Sequence, residues 1–270
     1  TDLERYYEAK EAYYNGEPIM TDLEFDELER SLGLENKSEI GAHHNPSYTV
    51  KHPFIMGSLS KVQVKENEDG TVNWEDYYND ICSYTNRNHK DPYLIMSPKY
   101  DGCSFEVVVD NLGMIESISS RGDGEYGKNL YDHLLRHVKS SIDQLFNDVG
   151  IAFTCRGEVL IKKSIFESKY SEFVNPRSFV SGVLNRDYTD EPEFQEMLND
   201  LSIVIYDIRW ARNDGTFFET DFSNFEYDAK PKFYKESKIS DPKSFKEYYQ
   251  LFAEYREKCE FALDGFVIKP

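Results

Sequence analysis

"RGDGEYGKNL", residues 121–130, carries glycines at 122, 124 and 127, the G-x-G-x-x-G spacing of a dinucleotide-binding βαβ unit. What precedes it decides between that architecture and another. A βαβ fingerprint follows a buried parallel strand, which reads as near-continuously hydrophobic. Here the preceding stretch is "IESISSR", residues 115–121, which alternates apolar and polar and ends in Arg121. The strand-like "CSFEVVVD", residues 103–110, comes before it across the turn residues "NLG". The pattern predicts an antiparallel hairpin with one wet face, and the glycines then form a tight loop at its end.

On either side of it, "YLIMSPK" at 93–99 reads as a short apolar strand, and a helix is expected over 129–147. A strand over 151–161, helices around 163–172 and 177–186, and strands around 202–210 and 216–220 follow. A helix around 243–258 and a last strand, "FALDGFVIK" at 261–269, complete the pass. Before the strands, residues 3–14 place apolar and aromatic side chains at helical spacing. "TDLEFDELERSLG", residues 21–33, reads as a second helix with Thr21 and Glu24 as a capping box. Residues 35–60 show no period and read as a linker. Hairpin-linked strands with helices between groups of them give an α+β class rather than a doubly wound sheet.

The chain has 270 residues, enough for a sizeable core. No apolar run approaches the roughly 20 residues of a bilayer helix, and the start has no basic-then-apolar leader, so a cytoplasmic protein without membrane partners is expected. Cys82, Cys103, Cys155 and Cys259 lie far apart with no C-x-x-C pair, which argues against a zinc site and for reduced, packing thiols. The net charge of −19 disfavours a surface devoted to phosphate backbones, so any grip on nucleic acid must be local or lie in other parts.

Chemistry concentrates in short stretches. "SPKYDG", residues 97–102, sets Lys99 at the end of an apolar strand with Asp101 and Gly102 after it. Desolvation can turn such a lysine into an amine nucleophile. "CRGEVLIK" carries Glu158, "FVNPRSFVSGVLNR" carries Arg177 and Arg186 near a helix start, and "LDGFVIK" ends in Lys269. A nucleophilic lysine, a carboxylate for a ribose hydroxyl and a second lysine for a phosphate make a nucleotidyl-transfer set, since neutralising an α-phosphate is the main need of that chemistry.

K-x-D-G, R-G-D-G-x-x-G, R-G-E-V, N-P-R and D-G-x-V-I-K, in this order, resemble the NAD-dependent DNA ligases over nearly the whole chain. The resemblance implies a nucleotidyltransferase fold of the DNA ligase and mRNA capping enzyme kind, with antiparallel sheets, over residues 51–270. A small all-helical nicotinamide mononucleotide-binding domain with its linker is implied over 1–50. It implies that Lys99 attacks the α-phosphorus of NAD, that Lys269 contacts that phosphate and that Asp101 belongs to the catalytic motif. Glu158 would serve the AMP ribose and Arg121 would line the nucleotide pocket. Ser58 and Leu59 would lie beside adenine, as would Ser97, which stands where the family usually has Glu. "YYNGEPIMTDLEFD" is similar to the family segment that closes over the nicotinamide nucleotide, with Tyr13, Tyr14, Asp22, Phe25 and Asp26 in the matching places. Aromatic rings stacking on nicotinamide and two carboxylates one turn apart suit a ribose and a cationic ring. Arg177 and Arg256 match arginines associated with ligation. Arg186 stands one place late for the second arginine of the N-P-R helix, and Phe25 replaces the usual Tyr.

The implied cofactors are NAD and Mg²⁺, with no metal-ligating side chains assigned, and the implied partner is nicked duplex DNA. The sequence stops at Pro270, directly after D-G-F-V-I-K. The expectation is a trimmed chain or one subunit of a split ligase, with a possible second subunit and the DNA-gripping parts elsewhere. Two rival readings stand beside this one: an ATP-dependent polynucleotide ligase-type nucleotidyltransferase, and a non-catalytic NAD-binding module.

Overall fold

A computed structural model describes residues 2–14, 19–32, 48–57, 59, 62, 67, 70–84, 94–211, 217–219, 227–230, 235–237 and 241–269. The chain divides into two compact units, Thr1–Ser58 with Asp101–Lys230, and Leu59–Tyr100 with Pro231–Pro270.

The first unit opens with helices α1 (Asp2–Tyr14) and α2 (Asp22–Ser31). The predicted capping box is formed. The Thr21 N–H donates to Glu24 Oε2 at 2.8 Å, and the Glu24 N–H donates back to Thr21 Oγ1 at 3.3 Å. Tyr6 joins the two helices, stacking on Phe25 with centroids 5.2 Å apart and donating to Glu29 at 3.0 Å. Inside the stretch read as linker, β1 (Tyr48–Lys51) pairs antiparallel with β5 (Tyr126–Lys128). Four residues are too few to show a period, and the partner lies far along the chain.

The body of this unit is a five-stranded antiparallel sheet. β3 (Cys103–Val109), β4 (Ile115–Ser120), β6 (Phe153–Ile161), β7 (Leu201–Ala211) and β8 (Phe217–Glu219) lie in the order β4-β3-β6-β7-β8. The hairpin expected before the glycine loop is therefore present, and no βαβ crossover is found there. Period-two alternation sends Phe105, Val107, Cys155 and Val159 to one fully buried face. Ser104, Glu106, Arg156 and Glu158 occupy the other. Further helices of the unit are α4 (Tyr131–Val149), α5 (Lys163–Lys169), α6 (Pro176–Asn185) and α7 (Pro192–Asn199), with α4 and α6 packed on the sheet. Arg186 caps the C-terminus of α6 rather than standing near a helix start.

In the second unit β2 (Leu94–Tyr100) sits between β10 (Leu263–Lys269) and β9 (Lys235–Ser237), antiparallel to both. Helices α3 (Trp74–Tyr84) and α8 (Pro242–Lys258) supply its core, in which Tyr77, Tyr78, Ile81 and Phe245 enclose Met96. Asp241 starts α8 as a capping box with Ser244, ahead of Pro242. Helix α3 has no counterpart in the sequence reading.

Candidate active site

In the second unit, alternation along β2 buries Met96, Pro98 and Tyr100 and leaves Ser97 and Lys99 half-exposed on the opposite face. Register puts Lys99 opposite Gly265, Ser97 opposite Val267 and Ile95 opposite Lys269. Lys99, Ser97 and Lys269 therefore share the face turned away from Met96. The two lysines stand four residues apart along the ladder, about 13 Å measured along the strand direction. Between Leu263 and Gly265 the register slips, and this irregularity re-aims Asp264. Its carboxylate accepts a hydrogen bond from the Lys99 ammonium, with side chains 47% and 35% exposed. Arg256 lies exposed in the last turn of α8, and Leu59 is exposed.

In the first unit the N-P-R stretch explains itself as a helix start. The Asn175 side chain accepts from the Ser178 N–H at 2.8 Å, Pro176 takes the first helical position, and Arg177 follows. Arg177 Nη1 then donates to Asp101 Oδ1 at 3.3 Å. Gly102 passes so near β6 that an added Cβ would stand 2.1 Å from the Val159 carbonyl oxygen and 2.7 Å from a Leu160 methyl. That close approach accounts for the glycine of K-Y-D-G. Next in the chain, burial pushes the Cys103 thiol up to about 12, so it is protonated and inert. Glu158 is 8% exposed, and its Oε2 accepts from Ser104 Oγ at 3.0 Å and from the Tyr206 hydroxyl at 3.4 Å. Burial, with Glu158 beside it, raises the Tyr206 hydroxyl far above the ordinary phenol range, so it stays a donor.

Arg121 and its glycines form a bed for residues 52–56. Gly122 and Gly124 adopt φ of +55° and +93°, conformations that favour glycine. At Gly127 a Cβ would meet the Ser120 carbonyl oxygen at 1.9 Å. The freed backbone accepts from the neighbouring segment: the His52 N–H donates to Glu125 O and the Met56 N–H to Gly124 O, both at 2.9 Å. Arg121 Nε donates to Met56 O at 3.2 Å.

The structure thus places Lys99, Ser97 and Lys269 on one face and joins Asp101 to Arg177. Glu158 sits in a hydroxyl network, and Phe25 lies against Tyr6. Ser58 and the side chains of Tyr13, Tyr14, Asp22 and Asp26 lie outside the described residues. Residue-by-residue reading gave no role to Asp264, Ser104 or Tyr206, although Asp264 stands inside D-G-F-V-I-K and Ser104 lies in the strand directly after K-Y-D-G. Among the described residues no group of three or more His, Cys, Asp or Glu side chains is arranged to hold a metal, and no helix is long and apolar enough to cross a membrane.

The family model described as NAD-dependent DNA ligase adenylation domain matches residues 45–270. The chain is 27% identical over 277 residues to a DNA ligase of Acanthamoeba polyphaga mimivirus, covering 99% of this chain and 39% of that protein. It is 26% identical over 284 residues to a DNA ligase of Mycoplasmopsis agalactiae, covering 96% and 39%. The chain spans about two fifths of the length of these curated relatives.

Proposed function

The chain belongs to the NAD-dependent DNA ligase adenylation domain family, and on that premise we propose that it carries out the first step of nick sealing, transfer of AMP from NAD to its own Lys99. The Lys99 amine attacks the α-phosphorus, a P–N bond forms, the pyrophosphate P–O bond breaks, and nicotinamide mononucleotide leaves with the electron pair. The amine must shed a proton before it attacks. The observation that carries the reading is the contact between Lys99 and Asp264, which gives the nucleophile a carboxylate partner for that proton.

Lys269 neutralises charge on the phosphate, and Asp101 acts in the same catalytic motif while paired with Arg177. Glu158 holds the ribose and Arg121 lines the nucleotide pocket, with Ser58, Leu59 and Ser97 beside adenine. Residues 1–50 form the nicotinamide mononucleotide domain, with Tyr13, Tyr14, Asp22, Phe25 and Asp26 as contacts, and 51–270 the nucleotidyltransferase domain. Mg²⁺ would be held by the phosphates together with one or two carboxylates, the usual habit of that ion, and would neutralise charge at the reacting phosphate. Transfer of AMP to nicked duplex DNA, with Arg177 and Arg256 engaged at that stage, would need further domains or a second subunit. The proposed setting is the cytoplasm.

The test is intact mass after incubation with NAD and Mg²⁺, or with ATP and Mg²⁺. The expected result is a gain of one AMP from NAD that is absent in Lys99→Ala. Labelling from ATP alone would move the chain to the ATP-dependent nucleotidyltransferases. Binding of NAD without an adduct would make it a binding module.

A further inference from the structure

On the polar face of the five-stranded sheet, His52, Glu106 and Arg156 are packed with side chains 0%, 0% and 8% exposed. Glu106 lies opposite Arg156 across β3 and β6. Its Oε2 accepts from Arg156 Nε at 2.8 Å, and its Oε1 contacts His52 Nδ1 at 2.9 Å. Each outer partner then reaches beyond the sheet. Arg156 Nη2 donates to the carbonyl oxygens of Phe54 at 2.6 Å and Ile55 at 3.3 Å. The other ring nitrogen of His52 lies 3.1 Å from the Arg121 carbonyl oxygen. One buried carboxylate thus anchors a guanidinium and an imidazole that grip two neighbouring backbone segments, 52–56 and the start of the glycine loop.

We propose that His52, Glu106 and Arg156 are positioning residues for the nucleotide grip: a buried clasp that fixes the 52–56 segment and Arg121 so that the adenylate side of the pocket is set before NAD arrives. The inference rests on the assignment of Arg121, Ser58 and Leu59 to the nucleotide. Charged groups this deep serve poorly as simple ballast, because a hydrophobic set of equal volume stabilises as well or better. What they supply instead is fixed direction. The carboxylate has two acceptor oxygens for two partners, and the guanidinium is a rigid fork that reaches a carboxylate and carbonyls together. Arg121 is held at both ends, its carbonyl by His52 and its Nε by Met56 O. Loosening the clasp frees the arginine and the chain entering Ser58 and Leu59, and that freedom must be lost again on binding.

The experiment is single-turnover self-adenylation of Glu106→Gln and Arg156→Lys at varied NAD, alongside thermal unfolding. Glu106→Gln keeps the shape but turns an NH₂ toward one of two donors. Arg156→Lys keeps the charge but loses the fork. The expected result is a half-saturating NAD concentration raised about ten-fold, as for a lost charge-assisted hydrogen bond, with the limiting rate within about two-fold of wild type. A folded variant whose NAD dependence matches wild type would overturn the clasp and leave it a purely structural network. A wild-type chain that gains no adduct from NAD would instead overturn the adenylation reading beneath it. Should Glu106→Gln fail to fold, the Arg156→Lys titration decides.

Discussion

Lys99 and Asp264 meet at the place where the β2–β10 register slips. Leu263 faces Tyr100 and Gly265 faces Lys99, so Asp264 has no partner position of its own in the ladder and its carboxylate takes the lysine ammonium. Both side chains are more than a third exposed, so the pair contributes little to stability. On the proposed reaction its use is chemical. Asp264→Asn is expected to slow lysyl-AMP formation by about a hundred-fold, the scale of a lost proton acceptor, with an unchanged melting temperature. Quenched-flow adenylation followed by intact mass measures it, and a rate within three-fold of wild type, roughly the effect of a merely shifted contact, would remove Asp264 from the chemistry.

Gly102 is a test of space. The nearest neighbour of an added Cβ is the Val159 carbonyl oxygen at 2.1 Å, part of a central sheet strand that cannot swing aside. Gly102→Ala is expected to cost about 1–3 kcal/mol or more, read as a lower urea midpoint with an unchanged slope.

Arg177→Ala separates stability from function. Its contact with Asp101 spans 3.3 Å between side chains 30% and 33% exposed, so its loss is expected to cost under about 1 kcal/mol. On the proposed function, nick sealing by a full-length ligase carrying this substitution is expected to fall sharply. A large drop in melting temperature would assign the arginine to the fold instead.

His133 and His137, one turn apart on α4, tie down the ends of α6 and α7. The Nε2 atoms lie 3.0 Å from Arg186 O and 2.9 Å from Leu198 O. Burial lowers both imidazoles from their ordinary value, against the bonded carbonyls, which act the other way. Lys128 adds to the lowering at His133, opposed by Asp132 and Asp187, and Arg136 adds to it at His137. A group lowered in the folded state contributes fully above its unfolded value and loses that contribution as pH falls through the folded one. Unfolding free energy is therefore expected to be flat above about pH 7 and to decline toward about pH 5. In urea titrations at both pH values, the decline should shrink in His133→Gln and His137→Gln.

The fold was legible where periodicity or end signals ran long enough. Alternation in residues 115–120 announced an antiparallel strand, and Thr21 with Glu24 announced a helix start. Strands of three or four residues, β1, β5, β8 and β9, have no measurable period; β1, β5 and β9 exist because a distant partner pairs with them, while β8, which fell within a predicted strand, pairs with the strand just before it. Helix α7 was missed just after the acidic pair Asp190 and Glu191, although Pro192 at its first helical position was an available signal. Asn73, which accepts from the Asp76 N–H at 3.3 Å, similarly marked the start of α3. The residues proposed to react could be singled out from sequence because they cluster in short motifs. The clasp was not, since His52, Glu106 and Arg156 meet only through sheet register.

The glycines of residues 121–127 are kept by room, not by reagent. Two turn the backbone where side chains are strained, and the third stands against a carbonyl. A duplicated copy that had lost Lys99, the proposed nucleophile, would still need all three to fold. Among related sequences, then, the glycine spacing is expected to sort intact folds from broken ones, and on the proposed function the lysine is expected to sort working enzymes from retired ones.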